Sequence, residues 1–483
     1  MISLRELIPD VDAPTDAAMR EVAGLSADSR AVKPGFVFFA MPGARADGLS
    51  FAQAAINAGA LAIVAEHPPA QALQGAPVVL VSNVRAALAQ AAARFYPAQP
   101  ATIVAVTGTS GKTSVAAFTR QIWAQLGARA AALGTTGVIT PDGETYGSLT
   151  TPDPVTLHQT IQKLAHDGVT NLAMEASSHG LDQRRLDGVR LSAGAFTNLS
   201  RDHLDYHPDL GAYLAAKLRL FEALLRPSQP AVIDADSDVA AQVIAACKAR
   251  GLRVLTTGAK GDLLKLVSAQ ARPASTLLRI VCDGATYDVE LPLAGAFMAS
   301  NALVAAGLCI ATGAPAKAVI AALAHLQGAP GRLEKIGERD GAPIFVDYAH
   351  KPDALEKVLS ALRPLATNRL MVVFGCGGDR DVGKRAIMGE IAARKADVVI
   401  VTDDNPRSEN PAAIRAAILK AAPGAMDIAD RGEAIATAVR MARAGDVLVV
   451  AGKGHETGQI VGDQVLPFSD HQAVRAALEN AAS

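Results

Sequence analysis

Cysteine is scarce in this chain. Four residues, Cys247, Cys282, Cys309 and Cys376, are spread through 483 positions with no C-x-x-C pair, which argues against a disulfide framework and a thiolate metal site and predicts reduced core thiols. An excess of either charge is also lacking. The 46 Lys and Arg against 47 Asp and Glu leave a net charge of −1, so neither a polyanion-binding protein nor a membrane-surface module is indicated. Any anionic ligand must be met by local basic clusters. No run approaches the roughly 20 apolar residues that span a bilayer. The stretch MISLRELIPDVDAP at 1–14 has no basic segment followed by a long apolar one, and a cytoplasmic protein is expected. Repeats and low-complexity tracts are absent too. What is present is 50% hydrophobic content, enough to fill the cores of two or three domains at about 150 residues each.

The pattern along the chain is α/β, and it divides into three modules at 1–99, 100–329 and 330–483. The first has short strand-like runs, GFVFFAM and LAIVAE, around the helix-like SFAQAAINAGA, and closes on the helical RAALAQAAARFY and the breaker-bearing PAQP. In the second, the apolar runs TIVAVT, TNLAMEA and SAGAFTN alternate with helical stretches and each ends in polar residues. Such runs suit buried parallel strands, and ligands gather at the carboxyl ends of such strands, where Thr107, Glu175 and Asn198 are expected to meet. The third repeats the βαβ pattern with PIFVDYA, RLMVVFG, ADVVIVTDD and DVLVVAG. GCGGDR after its second strand is not a dinucleotide fingerprint, because Arg380 stands where the last glycine belongs.

The stretch VTGTSGKTS at 106–114 lies between the strand-like TIVAVT and a helix-like segment. Gly108 and Gly111 allow a tight turn whose N–H groups, with those of Thr109, Ser110 and Ser114, can face phosphate oxygens. Lys112 supplies a cation and Thr113 a hydroxyl for Mg²⁺. Val106 stands where the common pattern has its first glycine, so a Gly-rich strand-to-helix turn is the plain alternative. Glu175, at the end of a buried run, needs a cation or a pairing partner. Mg²⁺ fits beside a phosphate loop; an arginine or a helix N-terminus would serve equally. His203 in TNLSRDHLDYH reads as a metal ligand or as a hydrogen-bonded structural residue. Lys217, read from its helical context alone, is a solvated lysine.

Taken together, TGTSGKTS, MEASSHGLDQRR, TNLSRDHLDYH, AAK at 215–217, GRLE at 331–334, VDYAHKPDAL, FGCGGDRD, DDNPR and AGKGHE strongly resemble the Mur ligases. The match runs from ADSR at 27–30 to GKGHE at 452–456. The resemblance implies three domains, with a central P-loop-type parallel sheet and a Rossmann-like C-terminal unit. It implies ATP bound by residues 108–114, with Asn301, Arg332 and Asp347 at adenine, phosphate and ribose. Thr113, Glu175, His203 and Lys217 would surround Mg²⁺, Lys217 being carbamylated by CO₂ into an anionic oxygen ligand. Lys112, Lys217 and His203 take the catalytic roles. The implied substrates are UDP-N-acetylmuramoyl-L-alanyl-D-glutamate, at Ser29, Ala44, Arg45, Ala46, Thr150, Thr151, Ser177, Gln183 and Arg185, and meso-diaminopimelate, at Arg380, Asp404, Asn405, Pro406, Arg407, Gly452 and Glu456. Neither nucleic acid nor membrane is an expected partner, and the chain is expected to act as a monomer.

Two positions depart from the family pattern. Met298 replaces the first asparagine of F-N-x-x-N, although Asn301 is retained, and Leu149 precedes the two threonines where some relatives have asparagine. The chemistry implied is phosphorylation of the D-glutamate γ-carboxylate, then attack by an amine, with positioning and charge neutralisation doing most of the catalysis. His203 and His350 are the candidate bases, since histidine titrates near neutral pH. A folylpolyglutamate synthase or another Mur ligase is disfavoured by DDNPR and by the DSR…GARADG first module. A nucleotide switch has no use for Lys217, Glu175 and His203 together.

Overall fold

The computed structural model describes residues 2–9, 18–43, 47–145, 149–204, 206–272 and 275–482; Ala44, Arg45 and Ala46 lie outside them. The largest element is an eleven-stranded sheet. Its middle is a parallel set in the spatial order Ala130–Gly134, Asn171–Glu175, Thr102–Thr107, Ala193–Phe196, Pro230–Asp234 and Arg253–Gly258. These strands read as continuous apolar runs because both faces are covered. Ile103 and Ala105 point into one hydrophobic cluster with Leu157, Ile161 and Leu164 of the helix Pro154–His166. Val104 and Val106 point into another with Val115, Phe118 and Ile122 of the helix Lys112–Gln125. That alternation is the period-two signature of a strand sandwiched between helices. The antiparallel strands Leu264–Ala271, Thr276–Cys282 and Ala285–Leu291 extend one edge. Gly137–Thr140 and Gly143–Thr145 extend the other.

A second sheet has six strands in the order Glu334–Arg339, Ala342–Asp347, Val447–Ala451, Leu370–Phe374, Val398–Val401 and Met426–Asp427, parallel except for its first pair. One face packs under the helices Arg431–Met441 and Asp470–Ala482. The other face, with Phe345, Val372 and Val449, belongs to the same cluster as the helix Ala296–Ala311 of the central unit. The two sheets thus share apolar packing. A third, four-stranded parallel sheet, Gly24–Ser26, Phe36–Phe39, Ala62–Ala65 and Val78–Leu80, carries the helix Val84–Phe95. All four cysteines are free and buried. Among the described residues no helix is long and apolar enough to cross a membrane.

Candidate active site

The strands ending at Thr107, Glu175 and Phe196 are neighbours, with Thr102–Thr107 in the middle, so their carboxyl ends open on one place. The phosphate loop leaves the middle strand there and is tied to the adjacent one. Thr109 N–H donates to Asn198 O (2.8 Å), Ser110 N–H to Asn198 Oδ1 (3.0 Å), and Thr197 Oγ1 to Ser110 O (2.7 Å). Gly111 has φ +88°, and a Cβ there would meet Asn301 Oδ1 at 2.2 Å; at Gly108 it would meet Thr197 Oγ1 at 1.9 Å. Only glycine permits this close approach. The helix Lys112–Gln125 begins directly after the loop, aiming its positive dipole end into the opening.

Cations converge on this loop. Lys112 Nζ donates to Gly108 O and Thr109 O, both at 3.0 Å, and burial pulls its pKa down to about 8. Lys217 is buried, 1% exposed, with Nζ 2.7 Å from Gly108 O and 4.2 Å from the centroid of the Tyr213 ring. Burial, reinforced by the nearby Lys112 charge, holds its ammonium pKa well below the usual lysine value. The expectation of a solvated Lys217, read from local context, is therefore overturned. The helix Leu210–Arg219 turns this residue inward, which a short AAK segment cannot disclose. From the six-stranded unit come Arg332, whose Nη2 donates to Thr113 Oγ1 (3.2 Å), and Lys351, paired with Asp202. Arg332 lies 4.5 Å from the Tyr348 ring centroid, and its Nε is buried without a partner.

Glu175, 1% exposed, is held neither by an arginine nor by a helix N-terminus. Oε1 accepts from Thr135 N–H (2.7 Å) and Oε2 from Thr135 Oγ1 (3.2 Å). His203 sits in a left-handed turn (φ +52°) with Nε2 3.1 Å from Asp202 Oδ2; burial lowers its pKa to about 4. Burial also lowers that of His350, with the Lys351 and Lys384 charges adding to the effect, so both imidazoles are weak bases in this state. Among the described residues, no three His, Cys, Asp or Glu side chains are grouped to hold a metal. Asp347 accepts from Leu333 N–H (2.6 Å) and Ala349 N–H (2.7 Å), fixing the loop that carries Arg332, and burial raises its pKa to about 6.

A polar cluster adjoins Glu175 through Thr135, whose hydroxyl is 2.9 Å from that of Thr150. Thr151 Oγ1 donates to Glu175 O (3.0 Å) and accepts from Ser177 N–H (3.1 Å). Arg185 Nη1 donates to Thr151 O (2.6 Å) and its Nη2 to Gln183 Oε1 (2.8 Å). Thr150, Thr151, Ser177, Gln183 and Arg185 thus form one surface. Ser29 stands on the four-stranded unit, in the turn Ser29–Ala31 capped by Asp28.

Of the remaining candidates, Asn405, Arg407 and Glu456 line a cleft of about 280 Å³ in the six-stranded unit, together with Thr457 and Ile460 among others, whereas Arg380, Asp404, Pro406 and Gly452 are not part of its lining. Arg407 has φ +52°, and its backbone is clamped by a hairpin: Arg407 N–H donates to Ile460 O (3.1 Å) and Gly462 N–H to Arg407 O (2.8 Å). Among the described residues its guanidinium reaches only carbonyls, Gly378 O at 2.8 Å and Asn405 O at 3.4 Å. A Cβ on Gly452 (φ +119°) would come 2.7 Å from Asp404 Oδ2. Arg380 is exposed. Sequence reasoning missed Thr135, the Asp202–Lys351 pair and the hairpin Gly458–Val461/Gln464–Pro467. These act through folding contacts that carry no local motif.

Three family profiles match the chain: Mur ligase family, catalytic domain, over residues 21–96; Mur ligase middle domain over 106–309; and Mur ligase, glutamate ligase domain, over 331–454. The chain is 60% identical over 483 residues to the UDP-N-acetylmuramoyl-L-alanyl-D-glutamate–2,6-diaminopimelate ligase of Bradyrhizobium diazoefficiens, covering 99% of each. It is 60% identical over 470 residues to the protein of the same name from Mesorhizobium japonicum, covering 97% of each. A solved structure bearing that name superposes with a TM-score of 0.73 at 34% identity, covering 100% of this chain and 99% of the other.

Proposed function

This chain belongs to the Mur ligase family, and from that premise we infer that it is an ATP-dependent amide ligase of peptidoglycan synthesis. It joins diaminopimelate to UDP-N-acetylmuramoyl-L-alanyl-D-glutamate. The observation that carries the reading is the concentration of Lys112, Arg332 and Lys351 on a glycine loop at a helix N-terminus, an arrangement suited to a polyphosphate. A carboxylate is a poor electrophile. Transfer of the γ-phosphoryl group to an oxygen of the D-glutamate γ-carboxylate releases ADP and leaves an acyl phosphate. The amine of diaminopimelate then attacks the acyl carbon, phosphate departs with the C–O electrons, and loss of a proton yields the amide.

Lys112 and the loop N–H groups hold the phosphates, and Arg332, with its unpartnered Nε, adds a donor. Thr113 and Glu175 are hard oxygen donors of the kind that would hold Mg²⁺, with His203 and, as a carbamate supplying a further anion, Lys217 completing the set. Burial lowers the Lys217 pKa and so favours the neutral amine, the form that reacts with CO₂. When bound, the ion neutralises charge on the transferring phosphoryl group. Asn301 and Asp347 would hold the adenosine. The Thr150–Arg185 surface, with Ser29 and the Ala44–Ala46 segment, would take the nucleotide sugar. The Arg407 cleft, with Arg380, Asp404, Asn405, Pro406, Gly452 and Glu456, would take diaminopimelate. The three units correspond to residues 1–99, 100–329 and 330–483, and the reaction would run in the cytoplasm on the monomer.

The test is phosphate release from ATP with the UDP-muramoyl dipeptide and a panel of amino acids. Release that depends on both the dipeptide and diaminopimelate is expected. Release indifferent to diaminopimelate would overturn the assignment.

A further inference from the structure

Lys453 lies behind the cleft and is fully buried, at 0% exposure; it is not among the residues that line the cavity. Its ammonium donates to Asn405 Oδ1 and to Glu456 Oε2, each at 3.0 Å, and stands 3.9 Å from Asp404 Oδ1. Asn405 Oδ1 receives a second donor, Ile460 N–H, at 2.9 Å. Two donors converging on one atom identify it as the carbonyl end of the amide, which leaves Nδ2 to donate to Glu456 Oε2 at 3.0 Å. The Tyr348 hydroxyl also faces Glu456, and Gln459 Nε2 ties down Asp404 O at 2.7 Å. One buried cation therefore sets the orientation of an amide and a carboxylate that do line the cleft. Its single charge also offsets part of the negative charge of Glu456 and Asp404, which stand there together.

Resting on the reading of this cleft as the diaminopimelate site, we propose that Lys453 is a positioning residue for amino-acid selection. It touches no substrate and acts through Asn405, Glu456 and Asp404. The chemistry of the two competing amino acids gives the proposal a direction. Diaminopimelate carries two carboxylates and two ammonium groups, whereas lysine carries one carboxylate and two ammonium groups. A cleft stripped of Lys453 loses the cation that touches Glu456 and faces Asp404, and Arg431, itself paired with Asp470, is left to offset the two anions. It repels the second carboxylate of diaminopimelate and tolerates the net cation.

The experiment compares wild type, Lys453→Met and Lys453→Arg in steady-state phosphate release, with each substrate varied in turn. Lys453→Met is expected to raise KM for diaminopimelate by about tenfold or more, the usual cost of removing charge-assisted hydrogen bonds. KM for ATP and for the nucleotide sugar should stay within about twofold. The ratio of kcat/KM for diaminopimelate over lysine should fall, and Lys453→Arg should recover part of that ratio. An unchanged ratio, or an equal rise in all three KM values, overturns the positioning role. Wild type without diaminopimelate-dependent release overturns the cleft assignment itself. If Lys453→Met does not fold, a crystal structure of wild type with diaminopimelate decides. Nζ should remain on Asn405 and Glu456 and out of reach of the ligand; direct contact with the ligand contradicts the proposal.

Discussion

The glycine loop at 108–111 and the cleft around Arg407 treat charge in opposite ways. At the loop, among the described residues, Lys112 and Lys217 hydrogen-bond backbone carbonyls and Arg332 a hydroxyl, and of these basic side chains and Lys351 it is Lys351 that pairs with a carboxylate, Asp202. In the cleft, Lys453 is balanced by Asp404 and Glu456, and the neighbouring Arg431 by Asp470 at 2.7 Å. The exception in the cleft is Arg407, which pairs with no carboxylate among the described residues. The loop is prepared for a ligand that brings several negative charges. The cleft offers one cation without a carboxylate partner, Arg407, suited to one carboxylate of an incoming zwitterion. Turnover should therefore depend on the first region and amino-acid choice on the second.

The strongest way to break this comparison is Lys112→Ala. Removing a fixed charge from the transferring phosphoryl group costs on the order of 10²-fold or more in rate, so phosphate release should nearly vanish. Near-normal turnover would refute the phosphate-loop assignment. Lys217→Ala should be close to inactive for a different reason, the loss of an anionic ligand, and should recover in part with acetate or formate. Normal activity of wild type freed of dissolved CO₂, with a bare ammonium in the electron density, would rule out the carbamate.

Arg407→Ala should leave the chemical step in place and erode selection. Lysine would leave the guanidinium with only the carbonyls of Gly378 and Asn405 and no carboxylate, a penalty of about 3 kcal/mol, at the low end for broken buried ion pairs. Wild type should therefore prefer diaminopimelate by at least about a hundredfold in kcat/KM, and the variant should lose that preference. A variant that keeps it shows that Arg407 is not the selector. Least affected should be Arg279→Ala. Its bidentate pair with Asp288 on the exposed edge hairpin is screened by solvent and remote from both regions, so activity and melting temperature should not move measurably. A clear fall in activity would show coupling that the two-region account does not contain.

The two regions also differ in how far the sequence discloses them. The loop was legible because its chemistry is local: strand, glycines, Lys112 and helix are consecutive, and TIVAVT is the strand Thr102–Thr107 as read. The parallel core was legible for the same reason, since buried strands show as unbroken apolar runs. The antiparallel extension at 264–291 was not singled out, although Tyr287–Leu291 alternates apolar and acidic residues and Thr276–Cys282 alternates in burial. Within the cleft, the DNPR turn was visible, but the hairpin that clamps Arg407 and the lysine beneath Asn405 lie about fifty residues further along the chain. Lys217 is the sharpest case: its local sequence reads as solvated helix, and only the packing of that helix against Gly108 makes it a buried amine.

Both regions serve one carboxyl carbon, and following its oxygen tests that link most directly. The D-glutamate γ-carboxylate of the nucleotide sugar is labelled with ¹⁸O, the reaction is run with ATP and diaminopimelate, and the released phosphate is analysed by mass. Passage through an acyl phosphate transfers one labelled oxygen to each phosphate formed. Unlabelled phosphate accompanied by full amide formation would contradict the account.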